Sequence, residues 1–229
     1  MKKMPAGFLR PVLRWPMPPI SALALLLWAT LAANAQTNSV LPSRPPCCAE
    51  VTHAGPFTDR SVYQLDSDWT TDAGQTMKLG QLRGEPQVVA MIYCSCPYAC
   101  PLLVQEMQQL AQSLPANART NVGFLLVTFD PDRDTTGALR AYRATRKLPE
   151  PQWKLLRGSP EDTRELALVL GLKYRQDAGG QFAHSNLITI LDAKGEIAWQ
   201  QTGLAGSPDQ LAERLSGLLK TTAAGASSR

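Results

Sequence analysis

The chain has 229 residues, 44% hydrophobic and 18% charged, long enough for one domain with a sizeable core plus terminal segments. Its formal charge of +4 comes from 23 basic and 19 acidic residues. Lys2, Lys3, Arg10 and Arg14 all lie in the first 35 positions, which hold no acid, so the rest of the chain is balanced and no nucleic-acid partner is implied.

Residues 1–35 read as a secretory signal peptide: basic residues, a largely apolar stretch over 20–32, then Ala33-Asn34-Ala35 as a small-x-small cleavage site. A retained anchor in the inner membrane is the alternative, but this apolar run falls short of the ~20 residues that span a bilayer. Export to the periplasm places Cys47, Cys48, Cys94, Cys96 and Cys100 in an oxidising compartment where thiols pair. An odd, clustered set points to metal binding or redox exchange more than to a stapling framework.

Residues 36–60 carry Pro42, Pro45, Pro46 and Pro56 without hydrophobic periodicity and read as a proline-rich linker. The domain is expected over 61–220. Residues 61–65 and 77–79 are expected to form an N-terminal hairpin around Asp72-Ala73-Gly74-Gln75. Residues 87–93 are nearly all apolar, as in a central strand buried on both faces. Leu103, Met107, Leu110 and Leu114 recur at helical spacing before Pro115. A second buried strand follows over 121–129, then the polar loop Asp130-Pro131-Asp132-Arg133-Asp134-Thr135 and a helix through Leu139 and Tyr142 to about Lys147.

Residues 153–156 read as a short extended piece. Ser159-Pro160-Glu161-Asp162 has the N-cap, first-position proline and acidic first turn of a helix that ends at Gly171. Residues 181–191 and 196–200 are expected to form a C-terminal hairpin around Asp192-Ala193-Lys194-Gly195. Ser207-Pro208-Asp209 caps a last helix striped by Leu211, Leu215, Leu218 and Leu219, and 221–229 read as a disordered tail. These elements make an α/β domain whose first βαβ unit carries thiols at the carboxyl end of a strand, where sites lie in such sheets.

That thiol segment is Tyr93-Cys94-Ser95-Cys96-Pro97-Tyr98-Ala99-Cys100-Pro101. Cys96 and Cys100 each precede a proline, which disfavours α geometry, so regular helix is expected from Pro101. The positive helix N-terminus should lower a cysteine pKa below about 8.5. Thioredoxin-type couples separate their cysteines by two residues, and here there are three. Neither Cys96 nor Cys100 has the upstream threonine or serine and the proline of a peroxidatic site. A metal clamp needs a third ligand, and of the two histidines, His53 and His184, only His184 lies inside the domain. Two thiolates and one imidazole suit soft or borderline ions, copper foremost, and an open three-ligand site suits transfer more than storage.

Other candidates flank this group. Cys94 is either an auxiliary ligand or a buried strand cysteine. Asp130, Asp132, Arg133 and Asp134 are expected to border the site or its partner face, with a solvated loop as the alternative; on that expectation Asp134→Ala leaves fold stability nearly intact. Cys47 and Cys48 with His53 form either a second metal-capturing arm or two thiols available for mixed disulfides.

Residues 93–101, the Asp130-Pro131-Asp132-Arg133-Asp134-Thr135 loop, His184-Ser185 before an apolar strand, and Asp192-x-x-Gly195 together resemble the Sco/SenC family of thioredoxin-like copper proteins. The resemblance implies a central mixed sheet flanked by helices, and copper held by Cys96, Cys100 and His184. It also implies a role in assembling the binuclear copper site of cytochrome c oxidase. The implied partners are subunit II of that oxidase, or another exported copper protein, and thiol-disulfide reductants. Tyr98 stands where the family usually has aspartate, and Cys94-Ser95 where threonine-histidine is frequent, which leaves target and redox behaviour open. Two functions follow: a copper-binding assembly chaperone, or an exported thiol-disulfide reductase or redox sensor using the Cys96/Cys100 dithiol. The chaperone needs His184; the reductase does not.

Overall fold

The computed structural model describes residues 57–204 and 208–226; the signal segment, Cys47, Cys48 and His53 lie outside the described residues. A seven-stranded mixed sheet runs in the order β2-β1-β5-β4-β3-β8-β9. In its interior β3 (Gln87–Ile92), every residue of which is buried, pairs in parallel with β4 (Gly123–Thr128) and antiparallel with β8 (Leu187–Leu191). Continuous apolar runs mark strands covered on both faces. Outward from β4 come β5 (Trp153–Arg157), parallel to it, then β1 (Trp69–Thr71) and β2 (Thr76–Met77), both antiparallel to their neighbours. On the other side β8 pairs with β9 (Ile197–Thr202).

Among the described residues five helices accompany the sheet: α1 (Ala99–Ser113), the short α2 (Ala116–Arg119), α3 (Thr136–Arg146), α4 (Pro160–Leu170) and α5 (Pro208–Ala226). The apolar stripe of α1 buries Leu103, Val104, Met107 and Leu110, and the helix packs against β3 and α5. Ser159 caps α4 by accepting from Asp162 N–H, and Gly171 ends it with a left-handed φ of 77°, a conformation that only glycine adopts without strain. Among the described residues no helix is long and apolar enough to cross a membrane.

The β3/β4 register runs from Gln87 opposite Gly123 to Ile92 opposite Thr128. Both strands therefore end level, and Phe129 N–H still donates to Ile92 O at 2.9 Å. The thiol segment and the 130–135 loop thus leave the sheet side by side.

Several expected elements differ. Residues 61–65 form a 3-10 turn, Val62–Gln64, in place of a strand. Ser61 Oγ accepts from Tyr63 N–H and donates to Lys194 O, while Val62 N–H donates to Gly195 O, so this segment docks on the β8–β9 turn. The first hairpin strand is β1, and residues 79–82 form a second 3-10 turn.

The C-terminal hairpin is β8–β9 alone. Phe182–His184 forms β7, paired with β6 (Tyr174–Gln176) in a separate two-stranded sheet. Alternation breaks at Ser185, whose polar groups turn back: its N–H donates to Lys173 O at 2.8 Å and its Oγ accepts from Lys173 N–H at 3.0 Å. Finally, α5 extends through six residues of the expected tail, where Ala223, Ala224 and Ala226 favour helix; 227–229 lie outside the described residues.

Candidate metal centre

At the end of β3 the chain turns sharply, with Cys96 N–H donating to Tyr93 O at 3.2 Å. Helix α1 begins at Ala99, two residues before the expected Pro101, and its N-cap Tyr98 makes no side-chain capping bond. The sulfur of Cys96 takes that role, accepting the Cys100 N–H at 3.3 Å. Pro101 then falls in the first turn, where its missing N–H leaves nothing unsatisfied. The conformational bias of Cys100 is overridden by this bond and by complete burial of its side chain.

His184 closes the group from β7. Its Nε2 stands 3.9 Å from Cys96 Sγ and 3.9 Å from Cys100 Sγ, and all three atoms lie within 4.8 Å of one another. Nδ1 is 3.1 Å from Ser185 O. A carbonyl only accepts, so Nδ1 carries a proton; in the neutral imidazole the Nε2 lone pair then faces the sulfurs, as metal binding needs, and in the imidazolium Nε2–H donates to the Cys96 thiolate. Protein sulfur and nitrogen ligands bind such ions at about 2.0–2.3 Å, so donors sharing one ion stand up to about 4.5 Å apart. The spacing fits.

The two thiols are unequal. Burial pushes Cys96 up, but the Cys100 N–H, His184, the Tyr98 N–H and the Cys100 thiol outweigh it and bring Cys96 down to about 7. For Cys100 burial dominates and the thiol is pushed well above its ordinary range, against a single favourable backbone contact. The helix N-terminus therefore activates the cysteine that faces it, not the one inside it.

Aromatic rings wall the imidazole. Phe129 lies 5.2 Å and Tyr93 5.9 Å from the His184 ring, centroid to centroid, and Phe182 packs on both at 5.3 and 5.2 Å. Sequence reasoning missed this wall. Its signal was there: Tyr93 and Phe129 immediately follow the two central strands, and Phe182 precedes His184 by two, which puts both on one face of a strand.

Cys96, Cys100 and His184 are brought together; Cys94, Asp130 and Asp134 stand outside that group. Cys94 is half-buried, its thiol pushed up by burial and then by Asp134. Asp134 is buried beneath the thiol turn and accepts from Cys94 N–H at 2.9 Å and Thr128 Oγ1 at 2.5 Å. Asp130 is also buried and pairs with Arg133 at 2.5 Å, whereas Asp132 is exposed.

Two cysteines and a histidine converging beyond the central strands of this mixed sheet form a group that could hold a metal ion. The family model described as SCO1/SenC matches residues 58–220, and the chain belongs to that family. A protein of Stutzerimonas stutzeri whose name proposes copper binding is 27% identical over 143 residues, covering 61% of this chain and 68% of the relative. The same fold occurs in Bradyrhizobium japonicum ScoI with copper bound (TM-score 0.57, 20% identity, 66% of this chain and 96% of that one). It recurs in Arabidopsis thaliana ScoI with copper bound (TM-score 0.60, 18% identity, 68% and 96%).

Proposed function

We propose that the chain is an exported copper chaperone that takes up copper through Cys96, Cys100 and His184 and passes it on in assembly of the binuclear copper site of cytochrome c oxidase. The observation that carries this is the convergence of two Sγ atoms and an imidazole Nε2 with its lone pair turned toward them. Copper is cargo here, and thiolate donors favour its cuprous form. Cys96 gives up its proton near neutral pH, while Cys100 must lose a proton that its burial holds, so loading releases protons and weakens as pH falls. Three protein donors leave an exchange position for an acceptor's ligand. An anaerobic Cu(I) titration of the exported protein against a competing chelator tests the reading. One tightly held ion per chain supports it; no binding beyond that of a simple dithiol overturns it.

A second reading, a periplasmic thiol-disulfide reductase or redox sensor, is favoured by the inequality of the thiols. A low-pKa Cys96 beside a buried, protonated Cys100 is the pattern of an attacking and a resolving thiol. His184 separates the two readings.

A further inference from the structure

The 130–135 loop supplies none of the three converging donor atoms, yet it touches both segments that carry them, the thiol turn at Cys94 and the His184 hairpin at Phe182. Asp134 accepts the Cys94 N–H and so holds the first residue of the thiol turn. Its neighbour Arg133 reaches the other way. The Arg133 Nε pairs with Asp130 Oδ2 at 2.5 Å, and its guanidinium carbon stands 5.4 Å from the centroid of the Phe182 ring. Gly180 has a φ of 78°, and a Cβ there would stand 3.4 Å from Arg133 Nη1. The planar fork thus lies against the β6–β7 hairpin at its turn and at the first residue of β7, a fit that depends on the shape of arginine as well as its charge.

This matters because β6 and β7 do not pair with the central sheet. Among the described residues no ladder bond joins His184 to the central sheet; the chain enters β8 three residues later, and side-chain contacts across the gap set where the imidazole sits. The rings of Tyr93 and Phe129 supply apolar area, and Tyr93 hydroxyl donates to Gln181 Oε1 at 3.2 Å. Arg133 supplies a contact that is anchored at its other end, through Asp130, to the loop that also holds the thiol turn.

We infer that Arg133 is a positioning residue: through Phe182 it registers the His184 hairpin against the Cys96/Cys100 turn, making the 130–135 loop a strap across the metal centre. Its effect on affinity rests on the copper reading above; its effect on the hairpin does not.

The experiment uses the full-length reduced protein as wild type, Arg133→Ala, His184→Ala and the double variant. Amide hydrogen exchange comes first, without metal. In Arg133→Ala, exchange at 174–176 and 182–184 should rise about tenfold, with β3 and β4 unchanged, as local opening requires. Unchanged exchange in the hairpin, or a rise spread over the whole sheet, overturns the inference. Cu(I) affinity comes second. Arg133→Ala should bind roughly tenfold more weakly, at the low end of what losing an outer partner of a metal-bound histidine does. In the His184→Ala background the same change should have no effect, because the imidazole it positions is gone; an equal loss in both backgrounds overturns the inference. If His184→Ala itself binds Cu(I) like wild type, the copper reading fails, and the exchange data still decide whether Arg133 holds the hairpin.

Discussion

The amide of Cys100 donates to the sulfur of Cys96 at 3.3 Å, so the first turn of α1 is capped by one of its own site cysteines. Charge on that sulfur is matched to the positive end of the helix, and protonation weakens the match. Cys96 should therefore react with iodoacetamide at neutral pH, while Cys100 and Cys94, both pushed upward by burial, should not. The sign follows from the lowered pKa: the rate should be flat above about pH 8, then fall toward tenfold per unit below about 7. Alkylation followed by peptide mapping measures this, and preferential labelling of Cys100 would contradict it.

A second ion pair governs the fold more than the site. Asp72, buried in the β1–β2 turn, is held by Arg143 of α3 through Nε at 2.5 Å and Nη2 at 2.9 Å. Arg143 also donates to the carbonyls of Leu148 and Trp153. Replacing it with methionine leaves a buried carboxylate uncompensated, which costs about 3–5 kcal/mol. Adding Asp72→Leu should recover part of that loss. Urea unfolding of the two variants tests the pair, with the partial recovery as its signature.

Much of this architecture was legible in the sequence where one signal dominated. The apolar runs of β3 and β4, the stripe of α1, and the Ser159-Pro160 start and Gly171 stop of α4 each follow from a local rule. The convergence of His184 on the two cysteines was legible by scarcity, since only one histidine lies inside the domain. What was not legible depends on partners distant in sequence. Residues 61–65 have strand composition, but Ser61 and Val62 find their bonds at Lys194 and Gly195. His184 precedes an apolar strand, yet belongs to a different sheet because Ser185 bonds back to Lys173. Burial of Asp134 could not be read from a run of polar residues that looks solvated as a whole.

That burial reverses the expected consequence of changing Asp134. Its Oδ2 accepts from both Thr128 Oγ1 and Cys94 N–H, and Asp134→Ala leaves two inward donors without a partner. Hydrogen bonds to a charged group contribute about 1.5–3 kcal/mol each, so a loss of about 3–6 kcal/mol is expected. Asp134→Asn keeps an acceptor oxygen and should lose about 1 kcal/mol. The urea midpoint should shift with an unchanged slope. A stable Asp134→Ala protein would return the loop to a solvated role.

The sharpest division between copper handling and thiol chemistry comes from His184→Ala. The imidazole offers Nε2 at 3.9 Å from each sulfur, and removing one of three donors should weaken Cu(I) by more than the roughly 10 to 100-fold typical of outer partners. The dithiol should keep working. Exchange between Cys96 and Cys100 requires a thiolate and a reachable partner sulfur, and Cys96 retains the amides of Cys100 and Tyr98 that favour its charged form. Losing the imidazole removes one of the favourable contacts on Cys96, so its pKa should rise modestly and alkylation at pH 7 should slow a few-fold without vanishing. Cys96→Ser should abolish both copper binding at the three-donor level and reversible oxidation. Two measurements on each variant therefore suffice: Cu(I) affinity under anaerobic competition, and the midpoint potential of the dithiol. A His184→Ala protein with wild-type copper affinity would remove the imidazole from the donor set and leave the dithiol reductase as the function the site supports.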